Sequence, residues 1–255
     1  MSEPSAIRRA IENGVAYLES AQLPSGEIPI EISPTPEMSV DCVREPVVFP
    51  AALAARALSI TPSAARVRSR ALDFLLREME PDGLWRHPSS EKPGHYYTPL
   101  DVDDTSIAST ALAAAGRRFP NNRALLLANR EMMSTIWYGS RFTVWYFFSQ
   151  ALHEIAPEAG EMIVPRIEAM APVNSLELAV ATSTLLLWNR VPDVGPLIEA
   201  QLPSGAWPRV GFYHMGQRRL DSQPKPPWWG SEALTTVFAV EALTRYFNRT
   251  YVTHE

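Results

Sequence analysis

Helix-length segments of two kinds alternate along this 255-residue chain. In the first kind, apolar residues recur every three or four positions and charged residues fill the rest, which is typical of a helix with one face against a core. The second kind carries almost no charge, so a helix there must be buried on more than one side. Five pairs follow this order, over about residues 5–22 and 47–60, 62–80 and 101–115, 121–135 and 142–155, 159–170 and 175–188, and 194–201 and 231–247.

A repeated hexapeptide supports this pairing. Residues 21–26 read Ala-Gln-Leu-Pro-Ser-Gly and recur letter for letter as residues 200–205, while residues 80–85 hold the equivalent place between them. Helix pairs that repeat in sequence form stacked or closed arrays. A closed double ring fits better than an open solenoid, because a solenoid leaves both helices of each pair partly exposed. We therefore expect an all-α fold, an (α/α) toroid of about five to six helix pairs with inner and outer rings, as a single domain over residues 1–255.

The inner helices of such a ring all run in the same direction, so their N-termini meet at one mouth. Residues 23–46 connect the first two helices as a long loop rich in Pro, Ser and Glu, in which only a short extended piece over residues 28–32 is expected. The topology predicts a cavity at the mouth. The residues that it gathers there are Arg44, Glu45, residues 101–105, Thr143, Trp145, Tyr146, Asn174, Glu177, Trp228, Trp229, Ser231 and Glu232.

Three carboxylates fall within four residues at the start of one uncharged helix, in the sequence Asp101-Val102-Asp103-Asp104-Thr105. Acidic residues are favoured in the first turn of a helix, because the backbone dipole and free N–H groups attract negative charge. Three this close repel one another, and at least one should have a raised pKa if the site is secluded from water. A carboxylic acid that stays protonated near neutral pH can act as a proton donor. The simpler interpretation is a surface helix that carries more acids than its N-terminus needs.

Composition argues against several other functions. The net charge is −5 and no basic cluster is longer than two residues, so neither nucleic acid nor electrostatic membrane adhesion is expected. Cys42 is the only cysteine, which excludes internal disulfides and a multi-cysteine zinc site. No apolar run approaches the ~18 residues of a membrane span, and the N-terminus lacks a signal sequence, so we expect a cytoplasmic protein. The five histidines are scattered without H-x-x-x-H spacing, so no metal site is predicted.

Two features together resemble the class II terpene cyclases and their relatives, squalene-hopene cyclase and oxidosqualene cyclase. Residues 101–105 resemble the D-x-D-D-T acid motif of that family, and residues 15–26, 71–85 and 198–207 are similar to its QW repeats. The chain departs from the repeat where Glu27-Ile28 replaces the first Trp and Met79 replaces the second Gln. The resemblance covers nearly the whole chain, and it implies an (α/α) toroid like the β domain of those enzymes.

The resemblance also implies a reaction, the protonation-initiated cyclisation or isomerisation of an isoprenoid. Asp103, the middle acid of the motif, would be the general acid, with Asp101 and Asp104 accepting hydrogen bonds beside it. The carbocations that follow need aromatic faces, because few other groups stabilise a cation without attacking it. The candidate substrate-binding residues are Tyr97, Trp145, Tyr146, Trp228, Trp229 and Glu232.

Protonation requires no cofactor, whereas a diphosphate substrate would bring a need for Mg²⁺. The cations nominated for a diphosphate are Arg44, Lys92, Arg141, Arg209, Arg218, Arg219 and Lys225. Related cyclases close the active site with a second helical domain inserted after the first helix, but residues 23–46 are too short to be one. Either a homodimer or a partner caps the cavity, or a small linear substrate fits inside one toroid, or the chemistry has changed.

Two other functions remain open from the residues alone. One is a non-catalytic toroid that binds an apolar ligand or a partner. The other is an (α/α) barrel acting on carbohydrate, in which carboxylates from Asp101, Asp103 and Glu232 supply the acid and base.

Overall fold

The computed structural model describes residues 3–122, 136–215 and 227–252. Within these ranges lie nine α-helices, none of them long and apolar enough to span a membrane. The helices are α1 (Glu3–Ala21), α2 (Phe49–Ala57), α3 (Ala65–Glu78), α4 (Val102–Ala114), α5 (Arg141–Leu152), α6 (Gly160–Glu168), α7 (Ser175–Leu187), α8 (Gly195–Glu199) and α9 (Glu232–Tyr251). The strands are β1 (Ile30–Ser33), β2 (Val43–Glu45), β3 (Trp85–Arg86), β4 (Leu100–Asp101), β5 (Ile136–Tyr138), β6 (Gly211–Met215) and β7 (Trp228–Gly230).

Nine of the ten predicted helical segments contain an α-helix. The segment between α2 and α3 is tighter than predicted, because residues 58–60 and 62–64 form 3₁₀ turns. In the segment 121–135, residues 121 and 122 are irregular and residues 123–135 lie outside the described ranges. β1 overlaps the extended piece predicted over residues 28–32, beginning two positions later and ending one position later.

The helices with little charge lie on the inside of the fold. α4, α2, α9, α7 and α5 pack side by side in that order, and α1 packs on the outside against α9 while α3 packs against α2. Burial follows this arrangement, since α2 is buried throughout except at Arg56, whereas α1 is buried along one face only. Apolar helices are therefore surrounded and amphipathic helices cover them, as the alternation along the sequence predicts.

The repeated turns have the same hydrogen bonds. In the first, Gln22 Nε2 donates to the carbonyl of Gly26 at 2.9 Å and to an outer-helix carbonyl at 3.0 Å; in the last, Gln201 Nε2 donates to the carbonyl of Gly205 at 2.9 Å and to a carbonyl of α1 at 2.9 Å. Each turn thus joins the end of one outer helix to the next. The repetition in sequence is a repetition of these contacts.

The all-α expectation needs a correction, because strands of the chain form a five-stranded antiparallel sheet in the order β2-β1-β7-β6-β5. β2, β5 and β7 lie directly ahead of the inner helices α2, α5 and α9. The sheet therefore joins the segments that lead into these helices and lies over the end of the ring where they begin. β3 and β4 form a separate two-stranded sheet that leads into α4.

Candidate active site

Asp101 starts the helix that carries the acid cluster. Its Oδ1 accepts the backbone N–H groups of Asp103 at 2.8 Å and Asp104 at 3.0 Å, so its carboxylate caps α4. This satisfies two of the N–H groups that a helix N-terminus leaves without a partner. The capping interpretation is therefore right for Asp101, and it leaves the other two acids without a capping role.

Asp103 and Asp104 lie on different faces of α4. Asp104 is fully buried and lies on the same face as Ala108 and Ala111, which are also fully buried. Asp103 is only half-buried and lies three residues before the exposed Ser106, on the open face of the helix. One acid is thus enclosed by protein and its neighbour lies towards the open side.

The enclosed acid meets a histidine and a tyrosine. Oδ2 of Asp104 lies 3.0 Å from Nδ1 of His87, and Nε2 of His87 lies 3.2 Å from the hydroxyl of Tyr213 in β6. Tyr213 stacks on Trp229 with 5.4 Å between ring centroids, and Phe49 meets Tyr213 edge-on at 5.6 Å. The sheet therefore supplies an aromatic wall over the buried end of the acid cluster.

Burial and charge act in opposite directions on this pair. Burial raises the pKa of Asp104 to about 6, although the nearby His87 lowers it. Burial lowers the pKa of His87, but the charge of Asp104 and the hydrogen bond to it outweigh burial and raise that pKa above its ordinary value. The pKa values of both groups are therefore raised, and the two titrate as one coupled pair.

Two predicted substrate-binding residues lie in β7 and a third just after it. Trp229 faces His87 edge-on at 6.4 Å, while Trp228, on the opposite face of the strand, contacts His214 at 4.6 Å. Glu232 begins α9, accepts the hydroxyl of Tyr17 at 3.3 Å and lines a surface cavity of about 510 Å³. Only Trp229 of these three packs against the Asp104–His87 pair in the described structure.

The other three candidates lie away from that pair. Tyr97 is 81% exposed and packs on Tyr96, and Trp145 lies under the guanidinium of Arg166 in the outer helix α6. Tyr146 is buried and contacts α9 inside the ring. Their binding roles, and that of Trp228, remain predictions from the sequence.

The sequence did not identify His87 as a site residue. Its partners stand 17 and 126 positions away, so no local motif marks it. A signal was nevertheless present, because His87 lies two residues after the Trp85 that ends a repeated turn. Trp85 pairs with Asp101 across the two-stranded sheet, so the chain around His87 lies close to the start of the acid cluster.

The described cations at this end of the ring are mostly paired. Arg44 bridges Glu27 at 3.0 Å and Glu91 at 2.7 Å, Lys92 pairs with Glu45, and Arg209 pairs with Glu31 at 2.7 Å. Arg141 is exposed at the start of α5. The nominated cations Arg218, Arg219 and Lys225 lie outside the described residues. Among the described side chains, no group of three or more His, Cys, Asp or Glu residues is arranged to hold a metal ion.

The fold of the chain is similar to that of class II terpene cyclases. Among solved structures, the chain is similar to the type II terpene cyclase MstE from Scytonema. With a variant in complex with geranylgeranyl dihydroxybenzoate, its substrate, the TM-score is 0.69 at 14% identity over 96% of this chain and 99% of that one. With a variant in complex with merosterolic acid A, its product, the TM-score is 0.71 at 13% identity over 96% and 98%.

A protein from Actinoplanes is also similar, with a TM-score of 0.64 at 13% identity over 94% of this chain and 99% of that one. No protein-family model matches the sequence, and no curated protein sequence matches it. At these identities the similarity is one of fold.

Proposed function

We propose that this protein is a class II-type terpene cyclase, which protonates an isoprenoid substrate and so starts its cyclisation or isomerisation. The observation that carries the proposal is the fully buried Asp104, held 3.0 Å from His87 beneath an aromatic wall at the start of α4. A buried carboxyl costs stability unless a partner compensates for it, and His87 is that partner here. Perturbed carboxyls of this kind are typical of active sites.

Asp103 is the proposed general acid. A charged carboxylate disfavours the ionisation of another carboxyl group beside it, so the neighbouring acids of the cluster support a proton on Asp103. Asp103 is also the half-buried member of the pair, and it has access to a substrate that Asp104 lacks. Its proton passes to a terminal alkene or epoxide, and the resulting carbocation meets aromatic faces such as Trp229.

The MstE complexes support an isoprenoid substrate and widen the choice of head group. The substrate named for MstE carries a geranylgeranyl chain on dihydroxybenzoate, which is not a diphosphate. The similarity covers nearly the full length of both chains. The MstE chains therefore have no second helical domain outside the aligned region. A prenylated aromatic acid is therefore tested first, beside the diphosphates that would need Mg²⁺.

The test is turnover by purified protein of geranylgeranyl dihydroxybenzoate, farnesyl diphosphate, geranylgeranyl diphosphate and squalene. We expect Asp103→Asn to lose at least about 100-fold in rate, because general acid catalysis contributes that much. Asp73→Asn is the matched control, since Asp73 is a surface acid paired with Arg117 and should leave the rate unchanged. Full activity in Asp103→Asn together with loss in Asp104→Asn would assign the acid role to Asp104 instead.

Metal removal separates the two substrate classes. EDTA should leave turnover of the prenylated benzoate unchanged and reduce turnover of a diphosphate, since Mg²⁺ is proposed only for the diphosphate head. Ligand binding without turnover of any substrate would favour the non-catalytic toroid and contradict the proposal.

A further inference from the structure

A tyrosine, a glutamate and an arginine form a polar cluster inside the inner ring. The hydroxyl of Tyr146 in α5 donates to Oε2 of Glu241 in α9 at 2.7 Å. The other oxygen of Glu241 accepts from Arg245, one turn further along α9, at 2.8 Å. α7 packs against both α5 and α9, so the Tyr146–Glu241 bond links the two helices on either side of α7.

This cluster is buried among aromatic rings. Tyr146 and Glu241 are each 2% exposed, while the Arg245 side chain is 22% exposed. Phe147 and Phe238 meet the Tyr146 ring edge-on at 5.2 and 5.5 Å. Arg245 thus connects the buried carboxylate to solvent. The two phenylalanine rings offer faces that stabilise a cation without reacting with it, and the charge of Arg56 also acts on Tyr146.

The cluster lies deeper in the ring than the acid motif. Tyr146 is five residues into α5 and Glu241 nine residues into α9, which places them about 8 and 14 Å along their helices at 1.5 Å per residue. The acid motif occupies the first turn of α4. The acid motif and the Tyr146–Glu241 pair therefore lie at different depths along the inner helices.

The pair has the chemistry of a proton acceptor. Burial, and then the charge of Glu241, raise the pKa of Tyr146 well above its ordinary value, so the phenol stays neutral. Its oxygen keeps a lone pair while its own proton points at a carboxylate. A hydroxyl in this arrangement can take up a proton as it passes its own to the carboxylate.

We propose that Tyr146, backed by Glu241, is the base that ends the reaction. A C–H bond next to the final carbocation breaks and its electron pair forms a C=C bond. The proton goes to the oxygen of Tyr146, whose own proton moves to Glu241. Glu241 then gives a proton to solvent water beside the partly exposed Arg245, whose guanidinium stays charged throughout. The proton given by Asp103 is thereby balanced by one taken up here, and no other reactant is needed.

This inference rests on the proposed function, so the experiment reads initiation and termination separately. Substrate consumption and the identity of the products are measured for the wild type, Tyr146→Phe and Glu241→Gln with the substrate that the wild type converts. Tyr146→Phe should consume substrate within about threefold of the wild-type rate. The share of the wild-type alkene should fall about tenfold or more, replaced by isomeric alkenes or by alcohols from water capture.

Tyr246→Phe is the matched control, because Tyr246 makes a similar bond to Glu3 at 3.0 Å on the outside of α9. It should leave the products unchanged. An unchanged product mixture in Tyr146→Phe overturns the role of Tyr146 and leaves the proposed function intact. Loss of turnover in step with a lower melting temperature, with no change in products, also contradicts it. No turnover by the wild type overturns the proposed function and this inference together.

Discussion

At the residue scale, Glu27 departs from the sequence repeat, and this departure places a carboxyl group in the protein interior. It follows the glycine of the first repeated turn, where the last turn has the apolar Ala206, and its side chain is fully buried like that of Ala206. Arg44 pairs with Oε2 of Glu27 at 3.0 Å, but Oε1 of Glu27 has no hydrogen-bond partner. Burial raises the pKa of Glu27 to about 7, although the charge of Arg44 lowers it.

The raised pKa predicts a pH-dependent stability. A carboxyl that holds its proton more tightly when folded stabilises the fold below its unfolded pKa, and this contribution is lost as pH rises through the folded value. The wild-type free energy of unfolding should therefore fall between about pH 4.5 and 7 through this group. Glu27→Gln should flatten that part of the curve, as measured by urea unfolding at a series of pH values.

Glu31→Gln is the control for the Glu27 prediction. Glu31 is also paired with an arginine, at 2.7 Å, but its side chain is 29% exposed. The pH dependence of unfolding should keep its wild-type slope in this variant. An equal loss of slope in both variants would contradict the assignment to Glu27.

The residue scale also shows where sequence reasoning stops. The acid cluster could be predicted because its members are adjacent and their repulsion is a local property. His87 and Tyr213 could not, because they reach Asp104 only after β3 and β6 are placed. The different burial of Asp103 and Asp104 follows from the face of α4 that packs on the ring, and adjacency in sequence carries no such information.

At the element scale, the repeated turns hold the outer helices at close range. Gly26 has a φ of +90°, and a Cβ placed on it would lie 2.2 Å from the carbonyl oxygen of Arg70. Glycine is needed there both for its left-handed backbone and for its missing side chain. Trp207 completes the last turn by donating its Nε1–H to the carbonyl of Leu197 at 2.7 Å.

A pair of glycine variants separates these two requirements. Gly116 also has a positive φ, +63°, but no atom lies within 4 Å of the position where its Cβ would stand. Gly116→Ala should cost only the left-handed strain, about 1–2 kcal/mol. Gly26→Ala should cost at least about 3 kcal/mol, because the backbone of α3 must also move. Chemical denaturation measures both, and equal losses would contradict the role of close packing at Gly26.

Helices were predictable at this scale and the sheet was not. Helical periodicity extends over ten residues or more and survives in a single sequence. The strands are only three to five residues long in the large sheet, and β1 pairs with β7 about 200 positions away. Their alternation is too short to distinguish from a loop, and their pairing depends on how the helices that they precede are packed.

At the scale of the whole molecule, the five-stranded sheet covers the candidate site without a second helical domain. The sequence suggested a homodimer or a partner as one way to cover it. Tyr213 and Trp229 of the sheet instead pack on His87 of the Asp104–His87 pair, and both belong to the same chain. One copy of the chain therefore carries its own wall at this end of the ring.

This predicts activity without association. The turnover rate per chain should stay constant as the protein is diluted from micromolar to low nanomolar concentration, with analytical ultracentrifugation reporting the state at the upper end. A specific activity that falls on dilution, in step with dissociation of a dimer, would show that a second copy completes the site.

The packing of α1 against α9 has a consequence for the order of folding. Tyr17 of α1 contacts Glu232 of α9 across 215 positions of sequence, so α1 lacks its main partner until α9 has been synthesised. The apolar face of α1 therefore stays without the cover of α9 through most of translation, since contacts of such long range form late. A chain built this way should depend on holdase chaperones during synthesis more than its finished stability would suggest.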